Sequence, residues 1–548
     1  MDAPSTALPT QSPSPSGTQP EYQQTLRWWD GFTISLSIPA ALFILVGYAL
    51  GALGAWTAIA LVIAVACFAA LQNNIYSELA AMFGHKVGGI SLYANQAWKQ
   101  TTTLAGPLAT FGYWFSWSSS LAIYGLQIGT LIQAEWFPDA TWTISTGIAQ
   151  IGLPHVIALG VLFLGWGLNI LGMRPAMGIM YATGVVILIP IVLFALAPLI
   201  SPHWDPSHLT VGFGDTGFPD WQVSLAWMFV MAWSVYGIES VASFVPEMKK
   251  PVKDAKIAMR MAGVFVVAVY FLVPLGVAGL APQADISANP VTFYLQAFEQ
   301  IIPGSGWFMT LCLIAGLMLL MVMTTAAGGR VLHGAAVDGL TVRQLGQLNK
   351  AGVPARAMSL DLLVNVFLIL FVGEALAVVV AGIMGYLICH ILTLSGYVRL
   401  RRRHPDLPRP IRLGRIWTWI AGALCVIDLV ILAVGVTSSE ITGYGSFREV
   451  FIGLAVLSLS IVLYLVRQRQ DGHPVIWRRP GEAPETDPVH DVAAPAASQA
   501  DASSAPAAGK GAAVAAEAPA PAQAAQAAQA AQAEHGAEPA VSTTAPTR

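Results

Sequence analysis

The chain has 548 residues, 55% of them hydrophobic and only 10% charged, with 27 basic and 30 acidic side chains. Soluble domains carry about 25% charge, so the body of this chain is not one. The net charge of −3 adds nothing for a protein of membrane composition.

Residues 1–26 are rich in Pro, Ser, Thr and Gln. They lack the basic start and apolar core of a cleavable signal peptide and read as a disordered cytoplasmic arm. Apolar runs near 20 residues then recur, each long enough to span a bilayer. There are twelve, at 31–54, 56–81, 103–133, 154–172, 176–199, 221–245, 260–280, 306–328, 358–373, 375–398, 416–437 and 447–467. Gly106-Pro107 interrupts the start of the third. A tight hairpin near Gly373-Glu374 divides the ninth from the tenth. The core therefore covers 27–470. Beyond it, 471–548 is Ala/Pro/Gln-rich, with a three-residue repeat at Gln523, Gln526, Gln529 and Gln532. It lacks an apolar face to fold on and reads as a disordered cytoplasmic tail. Cys67, Cys312, Cys389 and Cys425 lie in apolar runs without disulfide or zinc spacing, and read as packing residues.

Basic residues orient the array. If the first span starts from the cytoplasm, Arg27, Lys86, Lys99 and Arg174 fall inside. So do the basic residues from Lys249 to Arg260, from Arg330 to Arg356 and from Arg399 to Arg415, then Arg467 and Arg469; only Arg448 falls outside. This asymmetry supports an even number of spans with both termini cytoplasmic.

Two spans are interrupted near mid-membrane. Span one holds Ser35-Leu-Ser-Ile-Pro39-Ala-Ala41; proline removes a backbone donor and frees the carbonyl four residues earlier. Span six holds Trp233-Ser-Val-Tyr-Gly-Ile-Glu239. Gly237 offers a place to open the helix. Glu239 lies ten residues before Lys249, about 15 Å along a helix, roughly half the hydrocarbon core. A carboxylate there reads first as functional. Breaks at matching places in two five-helix halves point to an inverted-repeat transporter with a midplane site. The plainer reading is a proline kink and a packing glycine.

Four stretches, in the right order between the right spans, carry a family resemblance over roughly 27–470. They are Tyr76-Ser-Glu-Leu through Gly88-Gly-Ile-Ser-Leu-Tyr93, span six with Glu247-Met-Lys-Lys-Pro251, Arg330 through Asp338-Gly-Leu340 and on to Pro354, and Leu400-Arg-Arg-Arg-His-Pro through Arg409-Pro410. They resemble the motifs of the amino acid–polyamine–organocation permease superfamily. That resemblance implies an all-α integral membrane protein of twelve transmembrane helices. Its fold would be a 5+5 inverted repeat of the leucine-transporter type plus two C-terminal helices. Where family members often have Gly-Ser-Gly in span one, this chain has Pro39-Ala40-Ala41. The lysine that certain members carry in span five is missing, since the positions from Gly184 to Leu188 are apolar.

The resemblance also implies a site. Ile38, Pro39, Ala40, Ala41 and Leu42, with Trp233, Tyr236 and Gly237, would hold the substrate. Helix N-termini with open amides favour an anion, which suits a substrate carboxylate. Glu239 matches a glutamate linked to protonation in the arginine–agmatine antiporter branch, and Trp233 an aromatic that covers substrate there. Thr324 and Thr325 stand where sodium-coupled relatives place hydroxyl ligands, but threonines also bond back to their own helix. Tyr93 and Tyr113-Trp-Phe-Ser-Trp117 are assigned to the third span as an aromatic wall. His390 reads as a satisfied interior histidine; Asp361 and Asp428 read as structural acids away from the pathway. Glu78, Arg330 and Asp338 read as helix-end or inner-gate contacts.

The expected function is secondary transport of an amino acid across the plasma membrane by alternating access, proton-coupled or by exchange. The alternative is an amine or polyamine exchanger without α-carboxylate recognition; a sodium symporter, a channel and a sensor follow behind. Membrane lipid is the surrounding partner. Nothing in the sequence asks for a cofactor, a metal or nucleic acid, and no motif of an ATP pump or membrane enzyme is present.

Overall fold

The apolar runs of the sequence are mainly helical where the computed structural model describes them, over residues 22, 24–145, 150–371, 375–442, 447–472 and 474–486. The chain runs α1 (Trp28–Leu36), α2 (Leu42–Leu53), α3 (Ala55–Met82), a short α4 (Gly89–Trp98) and α5 (Ala105–Trp136). Next come α6 (Leu153–Ile170), α7 (Met173–Ile200), α8 (Asp220–Val235) and α9 (Pro251–Ala278). Two short helices, α10 (Gln283–Ala288) and α11 (Phe293–Glu299), precede α12 (Gly306–Val337). The series closes with α13 (Ala355–Phe371), α14 (Ala375–Arg403), α15 (Ile416–Thr437) and α16 (Phe447–Gln470).

Among the described residues, ten helices are long and apolar enough to cross a membrane, counting α1 with α2 and α8 with its continuation as one each. The helices α5 and α13 are not among the ten. In α5, 32 residues long, Ser116, Ser118, Ser119 and Ser120 dilute the apolar character, and all four are buried. In α13, 17 residues give about 26 Å, a little short of a hydrocarbon core of about 30 Å. The hairpin at Gly373-Glu374 lies outside the described residues.

The expectation of an all-α chain holds, with one short strand pair among the described residues. Between α5 and α6, Thr143–Ser145 pairs antiparallel with Gln150–Gly152 in a small, mostly exposed hairpin. A β-branched Ile at the centre of each strand suits that pairing, and loop backbone must find partners of its own.

The broken helices occupy the centre. In their most apolar stretches, 100% of residues are buried for Asp220–Glu247 and 89% for Trp28–Leu53, against 22% for Leu153–Ile170. On the periphery, Val185, Leu199, Val264, Leu363 and Trp419 are exposed. Side chains of that kind in quantity call for hydrocarbon rather than water. The polar sites that an apolar bundle would otherwise exclude are thus concentrated at the middle.

Candidate functional site

Span one does not run straight. The chain leaves α1 and makes one 3₁₀ turn over Ile38–Ala41 before α2 begins at Leu42. Pro39 has no N–H to offer. Within the turn the Ala40 amide donates to Ser37 O at 3.0 Å, and the Leu42 amide to Pro39 O.

Span six breaks harder. After Val235 the chain extends at Tyr236 and turns at Gly237, where φ is +124°. A side chain is strained at such an angle, and its Cβ would stand 2.6 Å from Ile38 Cδ1 and 2.9 Å from the Trp117 ring. From Ile238 to Glu247 the chain winds as a 3₁₀ helix of 10 residues. Such helices rarely exceed three or four residues, and one inside a helix marks a hinge. Groups freed by the two breaks are met from neighbours: Tyr270 of α9 donates its hydroxyl to Ser234 O and lies 3.4 Å from Ile38 O, and Ser35 Oγ donates to Ile238 O at 3.1 Å.

The breaks face each other across a small cavity. Ile38 and Ala41 contribute from the first; Trp233, Ser234 and Tyr236 from the sixth. Ser116, Trp117, Ser120 and Tyr124 of α5, Leu320 of α12 and Tyr386 of α14 close it. Its free volume is about 10 Å³, the room of one water, so any larger occupant requires the lining to move. Trp233 donates Nε1–H to Ser120 Oγ at 3.0 Å. Pro39, Ala40 and Leu42 are buried beside the cavity without lining it.

Glu239 lies just beyond, 2% exposed. Its Oε1 accepts from Tyr386 at 2.5 Å and Tyr113 at 3.3 Å, and its Oε2 from the Gly237 amide at 2.8 Å. Tyr113 and Tyr386 converge because α5 and α14 touch at Gly112 and Gly385, where a Cβ on Gly112 would stand 2.3 Å from Gly385 O. His390, one turn beyond Tyr386, brings Nε2 to 3.9 Å from Glu239 Oε1, and that nitrogen has no hydrogen-bond partner among the described residues.

Behind this acid is a second one. His390 Nδ1 lies 2.8 Å from both Tyr76 Oη and Gln72 Oε1. Gln72 Nε2 donates to Asp428 Oδ2 at 2.8 Å and to Tyr236 Oη at 3.1 Å, while Tyr236 donates to Asp428 Oδ1 at 2.7 Å. Asp428 is therefore bonded directly to a cavity-lining residue, which corrects its placement away from the pathway. The reason is helix facing: α15 is peripheral, yet Asp428 points from its middle toward α3 and the end of α8. Asp361 of α13 accepts from Trp114 Nε1 at 2.5 Å and does not reach the cavity.

Thr325 Oγ1 bonds back to Met321 O at 2.9 Å, and Thr324 Oγ1 is buried with no partner among the described residues. Neither lines the cavity. Tyr93 belongs to the separate helix α4, stacked on Phe83 with ring centroids 5.8 Å apart, not to the third span. The glycine pair Gly88-Gly89, both at positive φ, starts a new helix there.

A second polar layer lies at the face marked by the basic loops. Arg330 of α12 binds Glu247, at the end of the 3₁₀ segment, through Nε–Oε1 at 2.5 Å and Nη2–Oε2 at 3.1 Å. Glu78, fully buried, is paired with Arg401 and lies 3.3 Å from Arg409. Leu26 exchanges backbone bonds with Glu247 and Lys249. Residues 474–486, the start of the segment read as a tail, lie against α4 and the start of α5. Thr103 donates its amide to Trp477 O and its hydroxyl to Ile476 O. Lys86 meets Asp338 at 3.4 Å and Glu485 at 2.6 Å; Lys99 meets Glu482 at 2.9 Å and Glu485 at 3.1 Å. Burial works against the Lys86 charge, but the two acids outweigh it and hold its ammonium above the usual lysine range. Hydrogen bonding from Lys86 brings the Glu485 carboxyl down to about 2.

Sequence comparison places this geometry in a family. Residues 26–456 match the amino acid permease family. The chain is 24% identical over 342 residues to the branched-chain amino acid permease BcaP of Lactococcus lactis, covering 61% of this chain and 70% of that protein. It is 23% identical over 313 residues to the amino-acid permease RocE of Bacillus subtilis, covering 51% of this chain and 63% of that one.

Proposed function

This chain belongs to the amino acid permease family, and on that premise we propose that it is a proton-coupled secondary transporter of amino acids. The observation that carries the reading is the pair of broken helices meeting across one cavity, with Glu239 bonded to the amide of the break itself. Helices interrupted at mid-membrane are the substrate sites of inverted-repeat transporters. On this reading α5 and α13 also span, which makes twelve spans with a five-plus-five repeat. The basic face is then cytoplasmic in the plasma membrane.

Substrate enters where Trp233, Trp117 and Tyr124 now fill the space. These rings suit an apolar side chain, while freed backbone at 38–42 and 234–238 takes the amino and carboxylate groups. In this conformation the amides of Ala40 and Leu42 are used within their turn, so carboxylate binding requires that turn to loosen. Rocking the broken helices against α5, α12 and α14 opens the cavity to one face and then the other. Glu239 takes up a proton in one orientation and gives it up in the other. Its partners there are two tyrosines and one amide, so the charge change is not clamped by a cation.

The test is uptake into proteoliposomes of a radiolabelled panel of amino acids, with putrescine and agmatine included. It is run under a proton gradient without sodium and under a sodium gradient without a proton gradient. Accumulation of an amino acid driven by protons is expected. Accumulation of amines alone would transfer the reading to an amine exchanger. Accumulation only under sodium would move coupling to Thr324 and Thr325. Glu239→Gln copies the protonated shape and cannot release the proton. It should abolish proton-driven accumulation and keep exchange of substrate for substrate.

A further inference from the structure

We propose that Asp428 is a second proton site of this transporter, and that its charge sets the grip on Tyr236 at the cavity wall. The inference rests on the transport reading above. It concerns a residue on α15, outside the broken helices and outside the hydroxyl pair of α12.

Three observations carry it. Asp428 is 0% exposed in the middle of a 22-residue apolar helix. Both of its oxygens accept bonds, and both donors are neutral: Tyr236 at 2.7 Å and Gln72 at 2.8 Å. One donor, Tyr236, is also a wall of the cavity. An acid in hydrocarbon without a cationic partner is costly as an anion and marks a functional site by default. A carboxylate needed only to hold a helix pair is better served by an amide, which carries no charge.

The groups facing Asp428 can be named from each neighbouring helix. They are Tyr236 at the end of α8, Gln72 and Tyr76 on α3, His390 on α14 behind Gln72, and Cys425 on its own helix. No lysine or arginine is bonded to it among the described residues. Gln72 is an amide and does not pass a proton along, so coupling to Glu239 runs through charge and hydrogen-bond direction. As an anion, Asp428 accepts from Tyr236 in a charge-assisted bond, roughly twice as strong as a neutral one. When a proton binds an oxygen of Asp428, that bond is no longer charge-assisted. The acid O–H now needs an acceptor, and Tyr236 Oη is the nearest. The tyrosine must then turn its own hydrogen elsewhere, and its ring is released at the cavity. No bond other than O–H is made or broken.

The experiment uses the full-length protein in detergent and in proteoliposomes. Infrared difference spectra between high and low pH are taken on wild type, Asp428→Asn and Glu239→Gln. Each variant is expected to lose one pH-dependent carboxyl C=O band, that of Asp428 in the first and that of Glu239 in the second. If Asp428→Asn leaves every pH-dependent carboxyl band in place, Asp428 does not titrate and the proposal is overturned. Should Asp428→Asn fail to fold, Tyr236→Phe serves, since it keeps the ring and removes the hydroxyl that bonds Asp428 and accepts from Gln72. It should shift one carboxyl band to a different pH midpoint, and an unmoved midpoint overturns the proposal. Uptake of whichever amino acid the panel identifies then reads function. Asp428→Asn should remove one step of its pH dependence, while a uniform change in KM at every pH indicates a packing role and overturns the inference. Loss of these effects in a wild-type protein that transports defeats only this proposal; absence of amino acid transport by wild type defeats the reading beneath it.

Discussion

Two sets of buried acids divide this molecule. Inside the helix bundle, Glu239, Asp361 and Asp428 are met by tyrosines, a tryptophan, a glutamine and a backbone amide. At the basic face, Glu78 and Glu247 are met by arginine. The distinction is one of mobility. An acid locked to an arginine keeps its charge and acts as a fixed latch. An acid held by neutral donors can change charge while its neighbours rearrange. The first kind suits the ends of moving helices, and the second suits coupling at the site.

The largest effect should come from breaking the latch at Glu247. Arg330 is 1% exposed, and removing one member of a buried pair leaves an uncompensated charge. Arg330→Met should cost about 3–5 kcal/mol, read as a fall in the thermal midpoint of purified protein. Pairing it with Glu247→Met should recover most of that loss. If the single variant is as stable as wild type, the pair is not a latch and the comparison fails at its strongest point.

A smaller effect tests the neutral partners. Trp114→Phe removes the 2.5 Å donor to Asp361 and leaves a buried acid under-bonded, at about 1–3 kcal/mol. Asp361 does not reach the cavity, so proton-driven accumulation should survive per folded molecule. Loss of coupling without loss of stability would place Asp361 with Glu239 instead.

The sequence makes the two breaks legible because their causes are local. Pro39 lacks a donor, and Gly237 is the residue able to hold its angle beside Ile38. Glu239 is legible by depth, measured from Lys249. What sequence reasoning misses depends on which helix faces meet. Tyr386 and His390 stand one turn apart in an apolar span, and Gln72 and Asp428 stand alone in others. Nothing local says that all four converge. The close contact of Gly112 with Gly385 is likewise a property of two helices, not of either. Tyr93 is misplaced because the chain between α4 and α5, residues 99–104, separates it from the third span, and no proline or charge run in the sequence marks α4 as a helix of its own. The docking of 474–486 is hidden for a similar reason: Glu485 finds Lys86 across 399 positions.

The smallest effect belongs to that strap. Glu485 is half-exposed, so solvent screens its pairs with Lys86 and Lys99, and such a contact is worth about 1 kcal/mol at most. Its carboxyl is nevertheless held down to about 2, first by the hydrogen bond from Lys86. The unfolded value is about 4.3. With the folded value depressed, the contribution is complete above the unfolded value and is lost as pH falls through the folded one. The strap should therefore stay docked from about pH 8 down to about pH 5 and loosen only as pH approaches about 2. A spin label at Thr486 reads this directly as mobility. Glu485→Gln should give at neutral pH the mobility that wild type reaches only in strong acid. Raising salt toward about 1 M should narrow the gap between the two, because the Debye length falls to about 3 Å. An acid at mid-membrane has no such cation and no such salt dependence. A label reporting on Tyr236 should therefore respond to pH and ignore ionic strength, while the label at Thr486 responds to both.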